Sequence, residues 1–297
     1  ARKVLVEHAY YLIKEVLKFN DSFEIEVIDD GIPKHCGFGS SSSTIAAVSA
    51  SINEMYGCPI PNKDLIKYLA SNHGEEVNDL DEENLKMVQC IGGGATNGLT
   101  KEGVLIIAGQ ATCIAKMYYE GDILIGIPHD FKIKDADFLM AEEEKNLWKF
   151  KRTGEKYSKD IAYNLLHKAL PDMVNNSIKE LANVVYEYRF NMGSNENCSF
   201  VYDGLVELGN NLRNLYENND CEFLALSSVG PAFFVIVNNE EQKEKCKKRM
   251  EELSLDIIET SICNDTYKVK VQEEYKNYWQ QATTNLSFKN KAPSKYI

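Results

Sequence analysis

Two glycines and four serines, in the stretch CGFGSSSST at residues 36–44, run without a break into an apolar stripe at helical spacing: Ile45, Val48, Ile52 and Met55. No other feature limits the fold so tightly. Gly37 and Gly39 permit a sharp turn and close backbone approach, and a helix that starts there points its unpaired N–H groups and positive dipole end at the loop. Such a junction holds an anion. The hydroxyls of Ser40, Ser41, Ser42 and Ser43 add groups that bind phosphate oxygens or complete a magnesium coordination sphere. The loop has no lysine and no Walker-type Gly-x-x-x-x-Gly-Lys-Ser/Thr pattern. The alternative is a serine-capped helix behind an ordinary glycine turn.

Around this junction the periodicity predicts mixed elements. Val4, Ala9, Leu12, Ile13 and Val16 mark a helix over 2–18, and FEIEVID alternates as a half-buried strand over 23–29. Helices are expected over 42–56, ended by Gly57 and Pro59, and over 62–74. Buried strands are expected at 103–109 and 122–128. Helices follow at 135–149, 159–170, 175–191 and 201–217, then a strand, glycine turn and strand over 223–237 and a charged helix over 240–254. The order lacks strict βαβ alternation and predicts an α+β sandwich rather than a doubly wound sheet.

Charge and cysteine spacing exclude several functions. A formal charge of -12 disfavours a nucleic-acid groove, and no apolar run approaches the length that crosses a bilayer. The first residues read as an amphipathic helix rather than a signal peptide. The eight cysteines stand far apart with no CxxC pair, as expected of free thiols in a reducing cytoplasm.

Two further glycine-rich turns, GGGATNGLTKEG at 92–103 and SSVGPAFFV at 227–235, flank apolar segments as loops converging on one cleft do. IPKHCGFGSSSSTIAAVSA resembles the second motif of the GHMP superfamily, the small-molecule kinases that include homoserine and mevalonate kinase, and SSVGPAFFVIV resembles its third. Within the superfamily the chain resembles most the β-ribofuranosylaminobenzene 5'-phosphate synthase family. That resemblance is carried by PKHCGFGS, GGGATNGLTKEGVLIIAG, IPHDFKIKDADFLMAEEEKNLW, ALPDMVNNSIKELANVV and LSSVGPAFF. It spans roughly residues 1 to 260.

The resemblance implies a GHMP-type α+β fold of two subdomains, the first like domain 2 of ribosomal protein S5 and the second ferredoxin-like. The expected boundaries are 1–121, 122–265 and a peripheral extension 266–297, with opening strands ahead of residue 1 that the sequence does not contain. It further implies that Gly37, Gly39 and Ser40 to Ser43 bind phosphates, with Ser42 or Ser43 helping a magnesium ion. Gly92, Gly93, Gly94, Thr96 and Asn97 would form the facing wall. Ser227, Ser228 and Gly230 would close the phosphate end, and one of Glu142, Glu143 and Glu144 would touch magnesium or substrate unless that face is simply solvated. Ser42, Asn97 and Glu143 are the candidate catalytic residues; His35 and His129 read first as ordinary turn residues.

GHMP kinases carry an aspartate in the turn where this chain has Thr96, Asn97, Gly98 and Leu99. The expected activity is therefore the synthase reaction, which joins phosphoribosyl pyrophosphate to an aromatic or heteroaromatic acid with loss of pyrophosphate and carbon dioxide. The alternatives are an ATP-dependent small-molecule kinase, to which the run Ser41 to Ser43 is closer, and a non-catalytic phosphate-ligand-binding protein. Magnesium is the expected cofactor. A phosphorylated donor and a small acceptor are the expected partners, with no nucleic acid or membrane and with a homodimer as the common assembly.

Overall fold

The computed structural model describes residues 2–28, 31, 33–76, 85–90, 92–134 and 136–270. The chain falls into two units, the first made of residues 1–32, 39–116 and 265–297 and the second of 33–38 and 117–264.

In the first unit, helices α1 (Lys3–Leu17), α2 (Ser40–Met55) and α3 (Asn62–Ser71) lead into a hairpin of β1 (His73–Glu76) and β2 (Leu85–Val88) and a two-stranded sheet of β3 (Val104–Ala108) and β4 (Thr112–Met117). α1 packs along α2, and Leu5, Ala9, Ile13, Ile45, Ile52 and Leu65 form the centre of the core. On α1 the expected Ala9, Leu12 and Ile13 are buried, and at the two ends Leu5 and Leu17 are buried where Val4 and Val16 stand half-buried. The alternating segment from 23 forms no strand among the described residues. Phe23 and Ile25 pack on the core, but alternation supplies an apolar face without supplying a neighbouring edge to pair with. The helix expected to reach residue 74 ends at Ser71, and of the segment expected at 103–109 Val104–Ala108 form a strand, half-buried rather than buried, in a sheet of two strands.

The second unit is built on a four-stranded antiparallel sheet of β5 (Asp122–Pro128), β6 (Phe223–Leu226), β7 (Phe233–Val237) and β8 (Leu255–Ser261), in the order β6-β7-β5-β8. Helices α4 (Ala136–Asn164), α5 (Leu170–Val174), α6 (Lys179–Tyr186), α7 (Ser194–Asn197) and α8 (Leu205–Glu217) lie between β5 and β6, and α9 (Glu240–Glu252) joins β7 to β8. Leu124, Leu205, Leu212, Phe233, Val235 and Met250 fill its core. The two helices expected at 135–149 and 159–170 are joined. Residues 150–158 continue as helix, because their lysines, arginine and glutamate outweigh the cost of Gly154, about 1 kcal/mol. A Cβ at Gly154 would meet nothing within 4 Å. Gly154→Ala is therefore expected to stabilise the protein by about 0.5–1 kcal/mol, measured as a higher urea midpoint at unchanged slope.

At its C-terminal end the described chain returns to the first unit. Thr266 Oγ1 and the Tyr267 N–H both donate to the Gly98 carbonyl, at 2.7 and 2.9 Å, and the Tyr267 hydroxyl donates to Glu54 at 2.9 Å. Most of the expected extension, residues 271–297, lies outside the described residues. No helix among the described residues is long and apolar enough to cross a membrane.

Candidate active site

The start of α2 is the centre of the site in the first unit. Gly39 takes φ +63 immediately before Ser40, so the chain enters the helix from a left-handed turn that suits glycine. Arg2, which is 8% exposed, places Nη1 2.7 Å from the Ser40 carbonyl and 3.0 Å from Thr44 Oγ1, adding a fixed cation beside a helix end that is already positive. This is the charge that the loop itself lacks.

The glycine turn at 92–98 closes on that helix end. A Cβ on Gly93 would stand 2.8 Å from Ser42 Cβ and 2.8 Å from Cys90 Sγ, so only glycine allows the approach. Asn97 ties the two segments together. Its Nδ2 donates to the Gly93 carbonyl at 2.6 Å, and its Oδ1 accepts from the Ser43 hydroxyl at 2.7 Å. Gly94 faces the Ile66 backbone, and the Thr96 side chain lies outside the described residues. Ser42 is buried beside Cys90, whose thiol is pushed up by burial and is therefore a poor nucleophile at neutral pH.

Sequence reasoning missed a carboxylate here. The Ser41 hydroxyl donates to Glu75 Oε2 at 2.8 Å, and Glu75 Oε1 is 2.8 Å from Nε2 of His73, which is only 3% exposed. Had residues 73–76 been read as a strand rather than a helix end, the spacing of two would have placed His73 and Glu75 on one face. Among the described residues no group of three or more His, Cys, Asp or Glu side chains gathers as a metal centre. One carboxylate with a serine hydroxyl is a hard oxygen donor pair, and it fits magnesium, which takes few protein ligands and completes its shell with phosphate and water.

In the second unit the loop 33–38 is fastened to the turn after β6. Ser227 Oγ donates to the Gly37 carbonyl at 3.1 Å, while the Ser227 carbonyl accepts from the Gly230 N–H at 2.8 Å. Gly37 has φ +87, and a Cβ there would fall 2.2 Å from the Ser227 carbonyl oxygen. Ser228 and Gly230 also take positive φ, at +53 and +96, and the Gly230 N–H is spent inside the turn on the Ser227 carbonyl. Cys36, Ile127 and Ala232 are buried beneath it. Glu143 stands on α4, outside this turn. Partial desolvation holds its carboxyl above the usual range although the residue as a whole is exposed, and its charge helps raise the Cys198 thiol, which burial already pushes up to about 11.

The expected residues thus form two groups: Gly39, residues 40–43, Gly93, Gly94 and Asn97 in the first unit, and Gly37, Ser227, Ser228 and Gly230 in the second. Glu143 joins neither through a hydrogen bond or ion pair among the described residues.

Known proteins resemble both the sequence and the fold. Residues 4–80 match the family model of the GHMP kinases N terminal domain. A homoserine kinase from Cytophaga hutchinsonii superposes with a TM-score of 0.57 at 14% identity, over 88% of this chain and 76% of that one. The L. major mevalonate kinase, solved in complex with R-mevalonate, superposes with a TM-score of 0.54 at 12% identity, over 90% of this chain and 78% of that one. No curated sequence matches this chain. The expected α+β fold of GHMP type is the fold observed.

Proposed function

We propose that this chain, which has the fold of the GHMP kinases, is a magnesium-dependent kinase that transfers the terminal phosphoryl group of ATP to a hydroxyl of a small molecule. The observation that supports this reading is the grouping at the start of α2, where Gly39, Ser41 with Glu75, and Arg2 stand at one helix end. The kinases with similar folds support it.

In the reaction, the acceptor oxygen forms a bond to the terminal phosphorus as the bond to the bridging oxygen of ADP breaks. Phosphoryl transfer of this kind is driven mainly by positioning and by neutralising spread charge. Magnesium, when bound, would offset the charge on the donor's phosphate oxygens, and Glu75 and Ser41 are the residues that would hold it. The α2 N–H groups orient the phosphates. Asn97 locks the turn 92–98 against Ser43 and has no proton-accepting group of useful basicity, so the acceptor's proton leaves to solvent or to the phosphate product.

Asn97 also favours a second reading. Phosphoribosyl transfer to an aromatic carbon, with pyrophosphate leaving the donor and the acceptor's carboxylate leaving that ring carbon as carbon dioxide, deprotonates no acceptor hydroxyl, and an amide in place of a carboxylate suits it. Calorimetric titration with magnesium against a non-hydrolysable ATP analogue and against phosphoribosyl pyrophosphate separates the two. The kinase reading expects ATP to bind at least about tenfold more tightly. The reverse preference would establish the second reading, and binding of neither donor would sink both.

A further inference from the structure

The middle of α4 carries a cationic face that the kinase reading does not use. Residues 145–159 hold six lysines and arginines against one glutamate, in a chain whose net charge is -12. Of the whole helix only Ala136 is fully buried, and within this stretch Phe150 packs on the unit's core while most of the other side chains are exposed. Lys149, Arg152 and Lys156 are spaced three and four residues apart and share one side of the helix. All three line a cavity of about 470 Å³, together with Trp148, Tyr157, Asn197 and a single carboxylate, Glu196, so the lining carries three cations against one anion. That volume suits a small organic ligand.

The cavity's two walls are joined. Asn197, which is 7% exposed, donates from Nδ2 to Thr153 Oγ1 at 2.9 Å, fixing α7 against α4. The aromatic rings stand beside the cations. Lys149 Nζ lies 5.9 Å from the Trp148 ring centre and Lys156 Nζ lies 4.5 Å from that of Tyr157. Trp148 is 57% exposed, a large apolar surface left in water. None of the three cations forms an ion pair with a described residue. Cations without carboxylate partners, next to open aromatic faces, select a ligand that has a negative charge to pair with and a flat ring to stack.

We infer that this cavity binds a small anion carrying an aromatic ring. Two sources share that chemistry, a nucleoside phosphate and an aromatic carboxylate. The site lies wholly within the second unit and does not depend on which donor the α2 site takes.

The test uses the full chain carrying Trp279→Phe, which leaves Trp148 as the sole indole. Its fluorescence is followed during titration with adenosine monophosphate, 4-hydroxybenzoate, adenosine and inorganic phosphate. At least one of the ring-bearing anions is expected to quench Trp148 saturably, about tenfold more tightly than adenosine or phosphate, and an Arg152→Gln/Lys156→Gln variant is expected to bind it about tenfold more weakly. The arm that binds identifies the source. Both substitutions fall on exposed positions, and circular dichroism checks that helix content is kept. Absence of saturable quenching by either ring-bearing anion, equal binding of phosphate alone, or unchanged affinity in the double variant would overturn the inference.

Discussion

Gly37→Ala is expected to cost the protein about 3 kcal/mol of stability and to lower its melting temperature by roughly 6–12 °C. Two effects combine. A left-handed φ of +87 costs a residue with a Cβ about 1–2 kcal/mol. The added methyl group also falls 2.2 Å from the Ser227 carbonyl oxygen, the same oxygen that accepts the Gly230 N–H, and backbone on both sides must move to relieve it. Gly31→Ala isolates the first effect, because Gly31 has φ +79 and nothing within 4 Å of the added atom. Its loss is expected to stay near 1 kcal/mol. Equal melting temperatures for the two variants would show that the loop 33–38 yields freely and that its fastening to Ser227 carries little energy.

Glu75→Gln is expected to lower turnover on the order of 10²-fold and to raise the magnesium concentration needed for half-maximal donor binding. The substitution keeps the side chain's length and shape. An amide still accepts from Ser41 through its oxygen, yet it offers no negative charge to a divalent ion, and its NH₂ takes the place of the oxygen 2.8 Å from His73. Folding is expected to survive, since most of the packing around β1 comes from the hairpin partner and from α2. The measurement is steady-state kinetics over a magnesium series with the acceptor at saturation. A variant with unchanged turnover and magnesium dependence would reduce Glu75 to a structural partner of His73.

How much of this was legible before the structure depended on the range of each interaction. The junction at residues 37–56 was legible because a glycine turn, serines and a helical stripe are consecutive signals, and α2 begins two residues ahead of the expected start. The partners of that junction were not. Arg2 reaches Ser40 across 38 residues and Ser227 reaches Gly37 across 190, and no local pattern encodes such pairings. Glu75 was hidden differently. The segment NKDLIKYLASNHG reads as one helix ended by Gly74, whereas the chain leaves the helix at Ser71 and pairs as a strand. α4 shows the reverse error, in which two helices were expected at 135–149 and 159–170 where one helix runs from Ala136 to Asn164, through a Gly154 that the strong helix formers around it override. The alternating segment from 23 failed as a strand because pattern describes a face, and a ladder also needs a neighbour.

The return of residues 265–267 to the first unit bears on the order in which the protein is made. Glu54 and Gly98 leave the ribosome early, yet their partners Tyr267 and Thr266 follow 213 and 168 residues later. Contacts so distant along the chain form slowly, since a long loop must close before they repay its entropy. Throughout synthesis of the second unit, the Gly98 carbonyl and the Glu54 carboxylate are therefore left to water, and the contacts that Thr266 and Tyr267 make with them are among the last the described chain can form.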